Sequence, residues 1–111
     1  MKEFIDYLTE RIETGRKEIA GLEKDGRQDD ADFAKVRVNI YDVCRTVTNA
    51  LVDRPDHGVQ AVKVQLERFR TGWGAALDKA REHGDARNTV VGEIKMEALE
   101  DVIAHFPEEL R

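Results

Sequence analysis

A chain of 111 residues, 41% apolar and 37% charged, is long enough to bury one core and too apolar to stay disordered. Its net charge of −5 argues against nucleic acid and anionic membrane as partners, because both draw affinity from an excess of Lys and Arg. One cysteine, Cys44, excludes an internal disulfide and any site built on several thiolates.

In chain order, the first segment, about 2–24, sets Phe4, Ile5, Leu8, Ile12, Ile19 and Leu22 on one stripe, in steps of three and four. That spacing predicts an amphipathic helix. Gly15 falls on the stripe where a large residue is expected, and Asp25-Gly26 supplies the stop. The second segment, about 31–53, follows a polar stretch in which Asp29 or Asp30 can cap it. Its main stripe is Phe33, Val36, Ile40, Val43, Val47, Ala50 and Leu51, and it stops before Pro55. The third, about 57–83, carries Val59, Val62, Leu66, Phe69, Trp73, Leu77 and Ala80 and closes at His83-Gly84. Asp85 can cap the fourth, about 86–106, whose broader stripe is Val91, Ile94, Ala98, Leu99, Val102, Ile103 and Phe106. Pro107 ends it, and a short acidic tail follows.

Short connections make consecutive helices antiparallel neighbours. The sequence therefore predicts an all-α fold of four antiparallel amphipathic helices over a single domain, 1–111. Either it is an up-down-up-down bundle, or it is two helical hairpins completed by dimerisation. No window is long and apolar enough to span a membrane, and the N-terminal residues do not form a leader, so a cytoplasmic protein is expected.

Motifs that carry chemistry are missing. Di-iron bundles need Glu-x-x-His on a helix, but the residues three before His57, His83 and His105 are Arg54, Ala80 and Val102. No two histidines share a helical turn, which excludes a His-Glu-x-x-His zinc site, and no glycine-rich phosphate loop occurs. No catalytic residue, metal ligand or cofactor is therefore assigned. Asp101 and His105, four apart, can meet on the fourth helix as an acid–base pair or as a surface pair near a helix C-terminus; the second reading is preferred. Cys44 flanks an apolar stripe and reads as a buried small residue rather than a reactive thiol. Gly72-Trp73-Gly74 reads either as a kink beside a ligand pocket or as packing residues that let a neighbouring helix approach, and packing is preferred. The basic residues Lys63, Arg68, Arg70, Lys79 and Arg81 are offset by Glu67, Asp78 and Glu82.

One feature asks for a partner. Opposite its main stripe the second helix carries Ala34, Val38, Tyr41, Arg45, Thr48 and Val52. A helix with two apolar faces is covered on both sides. Either it is central in a less regular packing, or its far face meets another chain. Tyr and Arg beside β-branched residues suit an interface, and Tyr7 and Val64 extend the patch. The leading expectation is an assembly module acting through protein–protein contact, as a homodimer joined by this stripe. The alternatives are a small-molecule binder or enzyme with a pocket near Trp73, and a nucleic-acid-associated regulator.

Overall fold

The computed structural model describes residues 1–107; the acidic tail after Pro107 lies outside them. Four helices run in order: α1 (Lys2–Lys24), α2 (Gln28–Leu51), α3 (Gly58–Glu82) and α4 (Ala86–His105). Among the described residues there is no strand. The fold is all-α, as the spacing of apolar residues predicts.

The turns follow from local chemistry. Gly26 and Gly84 adopt φ of 73° and 64°, the left-handed conformation that ends a helix without steric cost for glycine. Asp85 caps α4, its Oδ1 accepting from the Asn88 backbone N–H at 3.1 Å. At α2 the boundary differs from expectation. The helix begins at Gln28, so Asp29 and Asp30 sit inside its first turn rather than capping it, where the exposed N–H groups still favour their charge. Its other end comes at Leu51, and a short connection through Pro55 leads to α3.

Two hairpins, α1–α2 and α3–α4, are the closest-packed pairs, and α2 also packs on α4 and more lightly on α3. The core gathers Phe4, Leu8 and Ile12 from α1 with Ile40, Tyr41 and Cys44 from α2. Val62 and Leu66 of α3, Ala98, Leu99 and Val102 of α4, and Phe106 just past its end complete it. These positions occupy the first halves of α1 and α3 and the second halves of α2 and α4. In antiparallel hairpins those halves meet at one end, beside the 52–57 connection. Full burial of Leu8 or Leu99, both 0% exposed, contributes about 2–3 kcal/mol each.

Toward the hairpin turns each pair still closes on itself. Gly15 is small because a Val38 methyl occupies the space its side chain would need, which explains the gap in the first stripe. Ala31 and Ala34 are buried, and Leu77 lies against Gly92. The hairpins share little core there: Ile19, Leu22, Phe33, Val36, Ala80, Val91 and Ile94 are only half-buried and stand outside the cluster of core residues. The radius of gyration, 15.2 Å, exceeds the roughly 13 Å of a compact domain this size, as expected of hairpins that part toward their tips.

Candidate functional site

The second stripe of α2 finds its cover inside the chain. Ala34, Tyr41 and Thr48 are buried, and Val38 and Val52 are half-buried against the core cluster. Arg45 reaches Thr9 Oγ1 on α1 at 3.3 Å and Asp42 at 3.3 Å. Of the two arrangements open to a helix with two apolar faces, α2 takes the central one, with α1 on one flank and α4 on the other. The middle of its buried arc runs from Ile40 of the main stripe through Cys44 to Thr48 of the second. What escapes cover is the outer edge of the main stripe: Val36, Val43 and Val47 remain half-buried and outside the core cluster.

Where α1, α2 and α4 meet, polar side chains converge. Tyr7 and Tyr41 both donate from Oη to Asp101 Oδ2, each at 2.6 Å. The His105 ring stacks on Tyr7, centroids 3.7 Å apart and planes within 14°; its Nδ1 bonds the Asp101 backbone carbonyl oxygen at 2.8 Å and lies 3.4 Å from Asp101 Oδ1. The expected Asp101–His105 pair therefore forms, but as the rim of a cluster that ties three helices together. One carboxylate satisfies two phenols that would otherwise be buried or half-buried without an acceptor. Periodicity gave no sign of this, because Tyr7 and Tyr41 belong to different helices and Asp101 is far from both in sequence.

The two phenols hold their protons. Burial, then the hydrogen bond to Asp101 and its charge, push the Tyr7 phenol up to about 12, and the same causes raise Tyr41. Neither phenol is a base near neutrality. Burial likewise pushes the Cys44 thiol up to about 12, so it is a packing residue and not a nucleophile. Among the described residues no group of three or more His, Cys, Asp and Glu side chains is placed to hold a metal ion.

These shifts fix a sign for pH. A folded-state value above the ordinary 10.0 of tyrosine means that the folded chain prefers the protonated phenol. That stabilisation is complete below pH 10 and is lost as pH climbs through about 12. The melting temperature should fall steeply across that alkaline window, as followed by circular dichroism, and the fall should be shallower in Tyr41→Phe, which has no phenol to ionise there.

Gly72-Trp73-Gly74 does not interrupt α3, which continues to Glu82. A Cβ added at Gly74 would lie 3.8 Å from Met96 Cε, and one added at Gly72 would meet nothing within 4 Å. Trp73 stacks on Phe69, centroids 4.6 Å apart and planes within 5°, and it lines a cleft of about 410 Å³ between α3 and α4. The close approach between these helices is at Gly92, where an added Cβ would lie 2.9 Å from Leu77 Cδ1.

Fold and side-chain clusters together define the class: an all-α protein of two antiparallel helical hairpins sharing one core at one end, with no helix long and apolar enough to cross a membrane among the described residues. The chain matches no family model, and neither a curated protein nor a solved structure matches it significantly.

Proposed function

We propose that this chain is a protein–protein assembly module that self-associates through the outer flank of α2. The observation that carries the reading is the row Val36, Val43 and Val47, spaced by seven and four along one helix edge and left half-buried by the rest of the chain. Three aligned β-branched side chains on a surface otherwise rich in charge suit a self-complementary contact about a twofold axis. The reading moves the expected contact from Ala34, Val38, Tyr41, Arg45, Thr48 and Val52 to the neighbouring edge, since α1 and α4 take up much of the first set. The protein is read as a binder and not as an enzyme: its tyrosines and thiol are held protonated, and Asp101 is occupied by structural hydrogen bonds.

Basic residues support the nucleic-acid alternative poorly. Arg70 pairs with Glu100 at 2.8 Å, and Arg81 lies 3.6 Å from Glu93, so those charges are already met on the surface.

Light scattering at high micromolar concentration is expected to return about twice the monomer mass, 12.7 kDa. Val43→Glu should return the monomer while leaving the helical circular dichroism intact. A wild-type monomer at that concentration, or a dimer indifferent to the substitution, defeats the proposal.

A further inference from the structure

The geometry points to a second site: the α3–α4 cleft binds a small organic anion with an aromatic or branched apolar body. Its volume, about 410 Å³, lies in the range of small-molecule sites. Trp73, Leu77, Ala80 and Val91 form apolar walls. The stack on Phe69 takes one face of the Trp73 indole and fixes its ring, so this wall is set before a ligand arrives.

Charge at the mouth chooses the class of ligand. Lys79 and Lys95 line the cleft, and among the described residues neither forms an ion pair; the offset expected for Lys79 from nearby acids is not made, Asp78 lying 3.9 Å from Arg81 instead. Nearby Arg81, by contrast, lies within 4 Å of both Asp78 and Glu93. These two cations outnumber the acids of the lining. The single acid of the lining, Asp85, is engaged through both oxygens by Asn88, at 3.1 Å and 2.7 Å. The His83 Nδ1–H is spent on the Lys79 carbonyl oxygen at 2.8 Å, so the cationic rim is the two lysines. Apolar walls and a cationic rim fit an amphiphilic carboxylate or sulfonate, whose body leaves water while its charge stays at the mouth. A neutral apolar molecule would gain nothing from either lysine. This site does not depend on self-association through α2.

Trp73 is the only tryptophan, so its emission reports on the cleft directly. The probe is anilinonaphthalene sulfonate, an aromatic anion that accepts energy from indole. Titration into the folded protein should give saturable sensitised emission with matching loss of Trp73 emission, weakened by added salt. The double variant K79Q/K95Q, altered only at side chains without ion pairs, should keep its melting temperature and bind the probe at least about tenfold more weakly. Phenylnaphthylamine, the uncharged analogue, should bind more weakly than the sulfonate. Undiminished binding by K79Q/K95Q, equal binding of the neutral analogue, or emission that never saturates each overturns the assignment.

Discussion

Asp101→Ala is expected to lower the unfolding free energy by about 3–4 kcal/mol, a large share of the roughly 5–15 kcal/mol that holds a domain together. The wild-type carboxylate accepts from Tyr7 and Tyr41, each at 2.6 Å. A hydrogen bond to a charged acceptor contributes about 1.5–3 kcal/mol, and a buried hydroxyl left without one costs about 1–3 kcal/mol. Tyr41 is 7% exposed, so water cannot replace the lost acceptor there, whereas Tyr7 is half-buried and is partly rescued. Two further variants isolate the cause. Asp101→Asn keeps an acceptor oxygen and should cost less, about 1 kcal/mol. In a Tyr7→Phe/Tyr41→Phe background, Asp101→Ala should cost little, because the donors that needed it are gone. Urea unfolding of the set measures each difference. If Asp101→Ala costs as much without the phenols as with them, the carboxylate is not what they depend on.

Gly58→Ala should destabilise the chain by about 2–3 kcal/mol, even though the same exchange inside a helix ordinarily stabilises by up to about 1 kcal/mol. A Cβ at Gly58 would run into the Val52 carbonyl oxygen and would stand 2.7 Å from that of Leu51. Both are main-chain atoms. Bonds from Val52 N–H to the Thr48 carbonyl oxygen, 2.9 Å, and from Arg54 N–H to that of Leu51, 3.1 Å, hold this stretch in place. The joint between the two hairpins would have to open, pulling Val59 and Val62 away from the core. Gly72→Ala is the matched control: nothing lies within 4 Å of its Cβ position, so the ordinary gain in helix propensity should appear. Opposite signs for the two substitutions in thermal melts would place the close approach at the joint and not along α3.

Much of this architecture is readable from residue order. Steps of three and four mark each helix because 3.6 residues complete a turn, so apolar side chains at that spacing share a side. Gly26, Gly84 and Asp85 punctuate the chain through local chemistry, and the structure keeps all three in those roles. The burial of Cys44 was legible for the same reason. A gap such as Gly15 was visible without its cause, since the Val38 methyl that fills it comes from another helix.

Two matters lay beyond any reading of the chain as a line of residues. One is which side of α2 is covered, and by what. A stripe announces that it avoids water, but burial against α1 and burial against a second molecule leave the same spacing; only the packing of whole helices assigned Ala34, Tyr41 and Thr48 to the interior and left Val36, Val43 and Val47 at the edge. The other is the convergence of distant polar groups. Asp101 lies 94 residues from Tyr7 and 60 from Tyr41, and hydrogen bonds of that span come into being when the hairpins dock, because no local rule couples side chains so far apart along the chain.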